Sequence, residues 1–408
     1  IGRSNRLEER MISRREFMKF SLNLAVAGGF VSPHIRNLSW GASLTPRYET
    51  LEETRSIGFP QDYYYGWPTV AKRGNELLVA ASGGREGHVC PFGRVELLRS
   101  KDNGKTWSWP QVLYDGPIDD RDAGICVTSD GTILVTTFTS LAYVGMFEEE
   151  TRYRREGRAR KNIWSDARYE KWAAVHQRLS DEEKKRELGC WLLRSTDGGV
   201  TWSERISTPF NSPHGPIQLS DGRLLYMGTE LWTKEHRNGA SISKDDGRTW
   251  EVAGFIPTRE GDNASYYYEL HAVEASDGTL VAHIRNGNVN NTDENLQTIS
   301  KDGGKTWSVP KAIGVWGIPS FLNRLQDGRL LMTYGHRRAP LGIQARISEN
   351  NGESWSDPMI LYGDASDTDM GYPSTVQLDD GSLFTVWYEH MRGSWFARLR
   401  CKRWRLCS

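Results

Sequence analysis

Asp122, Glu269 and Tyr372 share one address in the chain. Each lies eight residues before an Asp-Gly pair: Asp130-Gly131, Asp277-Gly278 and Asp380-Gly381. The pairs Asp221-Gly222 and Asp327-Gly328 put Pro213 and Pro319 at the same offset. A degenerate sixth copy, "KRGNELLVAAS" (Lys72–Ser82), puts Tyr65 or Gly66 there. Two carboxylates and a phenol at one recurring position form a constellation found by spacing alone. A Glu beside a Tyr can take the phenol proton, and an Asp can give or take another, so acid–base and nucleophilic chemistry are within reach.

Repeated elements must hold such a constellation. Asp-Gly between two alternating apolar runs signals a tight hairpin, as in "SDGTILVTT" and "DDGSLFTVW". A second repeat is an octad: "SKDNGKTW" at Ser100, "STDGGVTW" at Ser195, "SKDDGRTW" at Ser243, "SKDGGKTW" at Ser300 and "SENNGESW" at Ser348. Asp accepts backbone N–H bonds, Gly takes the left-handed turn and Trp anchors the next strand, so the octad reads as structure. Six units with a period of about 40–55 residues predict an all-β fold, a six-bladed β-propeller with a charged helical insertion between blades two and three. Ligands then bind at one end of the central channel, lined by the strand before each Asp-Gly.

The insertion, residues 147–189, carries 12 Lys/Arg and 10 Asp/Glu. Trp172, Val175 and Leu179 fall at helical spacing, and Ser180 with Glu183 makes a capping box. It reads either as a solvated helical hairpin or as a lid over the propeller mouth.

The octad resembles the Asp-box of the sialidase (neuraminidase) superfamily. Five copies resemble a six-bladed sialidase propeller from about Tyr63 onward. The resemblance implies a Tyr nucleophile activated by a Glu, an Asp acid/base, and three Arg gripping a substrate carboxylate. "GYPSTVQLDDGSLFTVWYE" puts Tyr372 on the nucleophile, and "YELHAVEASDGTLVAHIRN" puts Glu269 on its partner and Arg285 on the second clamp Arg. "RRAPLGIQARISENNGESW" puts Arg338 on the third clamp, and "HGPIQLSDGRL" makes His214 a substrate-side candidate. Blade one departs from the family. "YYYGWPTV" (Tyr63–Val70) has Gly66 where the first clamp Arg belongs, and "GHVCPFGR" (Gly87–Arg94) has no Asp, only His88 and Cys90. Arg121 can supply a cation, and Asp122 or His88 the acid; a salt-bridged strand end and hydrogen-bonded, non-catalytic histidines are the structural readings. Trp67 and Tyr65 suit stacking on a sugar ring.

These residues imply an exported glycosidase acting on a terminal acidic sugar. A polysaccharide lyase, another glycosidase or a non-catalytic glycan-binding propeller are the alternatives. No metal or cofactor is required. The 52 basic and 52 acidic residues give no push toward nucleic acid. Five Cys without CxxC spacing indicate buried free thiols. Ser13-Arg14-Arg15-Glu16-Phe17-Met18-Lys19 before the apolar run Phe20–Val31 resembles a twin-arginine export signal, with Met11 the start and Gly41-Ala42-Ser43 the cleavage candidate. Residues 1–44 are then leader and 45–408 propeller, periplasmic or extracellular, with no membrane span after signal removal.

Overall fold

Alternating apolar runs punctuated by Asp-Gly fold into six four-stranded antiparallel sheets. The computed structural model describes residues 46–57, 63–157 and 164–407. The expected export motif and cleavage site lie outside them. The innermost strands of the blades are, in order, Tyr64–Arg73, Asp119–Val127, Ile217–Gln218, Tyr267–Glu274, Ser320–Arg324 and Met370–Gln377. Each is the strand preceding its hairpin turn, as the repeats require. The inner strands of blades one and two, four and five, and five and six pack on one another, the last packs on the first, and blade three meets the inner strand of blade four through its second strand, Leu224–Thr229.

Blade six takes its outermost strand from the other end of the chain. Tyr48–Ser56 pairs antiparallel with Ala397–Leu406, from Tyr48 opposite Leu406 to Ser56 opposite Arg400. Blades one and six share one apolar core, in which Trp67, Val79, Leu98, Tyr372, Phe384 and Leu399 are buried.

The octads are turns between third and fourth strands. In the first, Ser100 Oγ donates to Asp102 Oδ1 (2.8 Å), and the Gly104 N–H donates to Ser100 Oγ (2.8 Å). The Thr106 N–H and hydroxyl donate to the Asp102 carboxylate at 2.9 and 2.6 Å. Gly104 has φ +85°, and a Cβ there would sit 2.4 Å from Phe384 of blade six. Glycine is therefore required by conformation and by close approach. Trp107 packs on the same Phe384, with ring centroids 6.1 Å apart, so the octad also ties adjacent blades.

The insertion sits inside blade two, not between blades two and three. Its helices α1 (Ala142–Glu156), α2 (Asp166–Gln177) and α3 (Asp181–Arg186) connect Ile133–Ser140 to Cys190–Ser195, the second and third strands of one sheet. The reason is the order of the punctuation. An Asp-Gly turn closes strands one and two and an octad closes strands three and four, so anything between them falls within a blade. The capping box at Ser180 and Glu183 forms as expected. The helices are not a merely solvated pair. Trp172 is fully buried with Tyr143, Phe147 and Cys90, against the blade-one loop 86–92. Cys90, Cys126, Cys190 and Cys401 are buried free thiols and Cys407 is an exposed one.

Candidate active site

A β-bulge recurs on the inner strands of blades one, two, four and six. Pairing slips after Gly66, Arg121, Tyr268 and Gly371, and the next residue takes a left-handed conformation. Those residues are Trp67 (φ 53°), Asp122 (φ 49°), Glu269 (φ 47°) and Tyr372 (φ 52°). Left-handed φ in a non-glycine residue costs about 1–3 kcal/mol and clusters at functional sites. Bulges re-aim side chains. One strained motif thus presents four large or ionisable side chains at equivalent places in the ring.

Their side chains meet. The Tyr372 hydroxyl donates to Glu269 Oε1. Arg285 Nη1 donates to both Glu269 oxygens (2.8 and 2.7 Å) and stands 3.1 Å from Tyr372 Oη. Burial disfavours a charged Glu269, but the Arg285 guanidinium and the two hydrogen bonds outweigh it and hold the carboxyl below its ordinary range. Burial and the negative Glu269 push the Tyr372 phenol well above its ordinary value. The resting pair is therefore a neutral phenol donating to a carboxylate, the arrangement a base-activated nucleophile needs.

Asp122 belongs to the same group. Its Oδ1 is buried without a hydrogen-bond partner. Burial raises its pKa to about 7, opposed by Arg121 and reinforced by Glu269. His214 lies beneath the pair, its ring 6.4 Å from Tyr372, 5.4 Å from His271 and 5.3 Å from Phe321. It is 1% exposed, neither ring nitrogen has a partner, and burial lowers its pKa to about 4. His214 also lines a cavity of about 450 Å³ with Val70, Ile125, His271, Phe321 and Gln377. His214 is thus the neutral floor of the site. A separate cleft of about 730 Å³ between Arg73, Arg99 and Asp197–Val200 lies away from these side chains.

The arginines are distributed differently from the expected set. Arg338 is exposed and lies over Trp316, 4.9 Å from the ring centroid, outside the group. Its neighbour Arg337 is the one over the Tyr372 ring, at 6.0 Å, anchored to the Met370 carbonyl at 3.0 and 3.3 Å. Arg121 stands over Trp67 at 4.6 Å. Trp67 is 1% exposed, so it forms a wall of the site more than a stacking platform. Arg85 is fully buried in a pair with Asp119 (2.7 Å) and is spent on structure.

His88 is held by residues that spacing did not single out. Its Nδ1 lies 2.8 Å from Asp369 Oδ1, which also accepts from Tyr64 Oη (2.9 Å) and Tyr388 Oη (3.1 Å). Burial opposes ionisation of Asp369, but His88 and the two phenols hold it far below the carboxylate range. His88 and Tyr372 both pack edge-on against Trp67, at 5.0 and 6.4 Å. Asp369 lies three residues before Tyr372, and that short interval is the one hint the chain gave. Among the described residues no group of three or more His, Cys, Asp or Glu is arranged to hold a metal, and no helix is long and apolar enough to cross a membrane.

Comparison with known proteins matches residues 168–385, just over half of the chain, to the family described as a BNR repeat-like domain. The sialidase of Bacteroides fragilis is 25% identical over 329 residues, covering 72% of this chain and 54% of the relative. That of Micromonospora viridifaciens is 26% identical over 325 residues, covering 73% and 45%. The chain thus spans about half the length of the curated relatives it matches. A Dyadobacter fermentans protein of unknown function superposes with a TM-score of 0.70 at 25% identity, over 88% of this chain and 99% of that one. The Trypanosoma rangeli sialidase bound to the inhibitor DANA superposes at 0.57 with 17% identity, over 88% and 60%, a likeness of fold. Propeller, octads and matched family agree: the chain belongs to the BNR repeat-like domain family and is a divergent member of the sialidase superfamily.

Proposed function

We propose that this protein is an exo-acting glycoside hydrolase of sialidase type that removes a terminal acidic sugar from a glycan. The observation that carries the reading is the Tyr372 hydroxyl donating to Glu269 beside Arg285. Tyr372 Oη attacks the anomeric carbon and its proton passes to Glu269. The glycosidic C–O bond breaks, and an acid protonates the leaving oxygen. Water then attacks the glycosyl-tyrosine, giving its proton to that same group, and Tyr372 recovers its own from Glu269. A neutral phenol suits this role because a carboxylate nucleophile would repel an anionic sugar; a Tyr nucleophile is the known exception to the two-carboxylate rule.

Arg285 and Arg337 face the substrate's anionic group, with Arg121 as the cation nearest the altered first blade. Asp122, whose pKa is raised to about 7, is partly protonated near neutrality and in that form donates a hydrogen bond to the sugar. The missing first clamp at Gly66 favours an acidic sugar other than an ordinary sialic acid. Export rests on the Ser13–Lys19 motif and is tested by fusing residues 1–50 to a reporter with and without Arg14 and Arg15.

The test is turnover of fluorogenic glycosides of sialic and hexuronic acids by wild type and Tyr372→Phe. A released saturated sugar, lost to background in the variant, supports the reading. An unsaturated product indicates a lyase. Undiminished turnover by Tyr372→Phe removes the nucleophile.

A further inference from the structure

Resting on that reading, we propose that His88 is the general acid–base of this site, oriented by Asp369 on a loop that the helical insertion locks in place. The expected Asp is missing from the 87–94 window, and a built dyad stands there instead. Asp369 takes His88 Nδ1–H at 2.8 Å, which fixes the tautomer and leaves Nε2 as the working nitrogen. The side chain keeps 36% of its surface exposed, whereas Asp122 is 7% exposed. His88 and the nucleophile stand against the same indole.

The loop is fixed from both sides. From below, Arg85 donates to the carbonyls of Gly87 (3.3 Å) and His88 (3.1 Å). From above, α2 donates Trp172 Nε1–H to Glu86 Oε2 (2.8 Å) and Lys171 Nζ to Glu86 Oε1 (2.7 Å). Cys90 is buried with Trp172. The insertion is therefore a brace for the acid, with Glu86 and Trp172 as positioning residues.

In the first half-reaction His88, carrying both protons, gives the Nε2 proton to the leaving oxygen as the C–O bond breaks. In the second, the freed Nε2 takes a proton from the attacking water. The groups facing His88 are Asp369, Tyr64, Arg121 and Arg85, with Tyr388 behind Asp369. Crowding by protein and the two arginines outweigh Asp369 and set the imidazole below its ordinary pKa. The alkaline limb of kcat/KM then lies on the acid side of that of an ordinary histidine.

The test compares wild type, His88→Ala and His88→Gln on two glycosides of one acidic sugar, a glycan and an activated aryl glycoside. The expected loss is 10²–10⁴-fold on the glycan and about tenfold at most on the aryl glycoside, whose leaving group needs no proton. The alkaline limb disappears, and azide restores deglycosylation as the glycosyl azide. Glu86→Gln and Trp172→Phe lower kcat on the glycan with KM kept and shift that limb. Equal losses on both substrates, or the same signature in Asp122→Asn instead, overturn the assignment. Unchanged kinetics in Glu86→Gln and Trp172→Phe overturn the brace. If Tyr372→Phe is dead while both His88 variants are unaffected, this inference alone fails. If wild type cleaves no acidic glycoside, both readings fall.

Discussion

One guanidinium nitrogen, Arg285 Nη1, contacts both Glu269 oxygens and lies 3.1 Å from the Tyr372 hydroxyl. It lowers the pKa of Glu269 and holds the Tyr372 hydroxyl at once. In Arg285→Gln the burial of Glu269 is opposed only by the Tyr372 hydrogen bond and by Arg337, so its pKa rises. The acid limb of kcat/KM is expected to move to higher pH, and the rate at pH 5 to fall by at least tenfold. A pH–rate profile of the variant checks this.

Asp122 links the site to stability. A free Asp ionises near pH 4, whereas Asp122 in the fold titrates at about 7. Its raised folded pKa means that its stabilising contribution is full below about pH 4 and is lost as pH rises to about 7. Asp122→Asn carries no such penalty. Its Tm should match wild type near pH 4 and exceed it by several degrees at pH 8, as read by calorimetry at the two pH values.

Trp67 is 1% exposed and packs on His88, Tyr372, Tyr388 and Arg121. Trp67→Ala should cost about 3–5 kcal/mol of stability and lower kcat, because it removes the wall shared by His88 and Tyr372. Denaturant unfolding together with kinetics on folded protein separates the two effects.

The fifth octad contains a natural experiment. Asn350 replaces Asp, yet its Oδ1 still accepts from the Ser348 hydroxyl (2.9 Å) and the Ser354 N–H (3.0 Å). Asp302→Asn in the fourth octad should therefore be nearly neutral, whereas Asp302→Ala loses the bonds to Ser300, Lys305 and Thr306 and lowers Tm. Neither should change kcat/KM. A rate loss beyond that explained by unfolding would give the octad a role in the chemistry.

Much of the fold was legible because it is written in local turns. Asp-Gly hairpins and octads fix their own conformation within a few residues, so counting them counts blades and sets a register. That register reached Asp122, Glu269 and Tyr372 because blades two, four and six have identical hairpin lengths. It slipped in blade one. There Arg73 pairs Glu76 across a two-residue turn, where Val127 pairs Ile133 across five. The bulge therefore falls on Trp67 and not on Tyr65 or Gly66. Arg337 and Arg338 were indistinguishable because the chain between strands has no period to say which side chain faces inward. Asp369 lies just before an inner strand, outside the eight-residue count, and its partners come from two blades. The insertion was legible as helices, but its docking on loop 86–92 is a long-range contact that no spacing encodes.

The pairing of Tyr48–Ser56 with Ala397–Leu406 has a consequence for how the site fails. Trp67, Tyr64 and His88 belong to blade one; Tyr372, Tyr388 and Asp369 belong to blade six. The site straddles the seam at which the ring is zipped shut, and the zipper strands themselves carry none of these residues. Slight parting of that seam would separate His88 from Tyr372 while the other blade junctions stayed intact. Inactivation should accordingly precede loss of β-structure on heating, and reinforcing the zipper would extend working life without touching the chemistry.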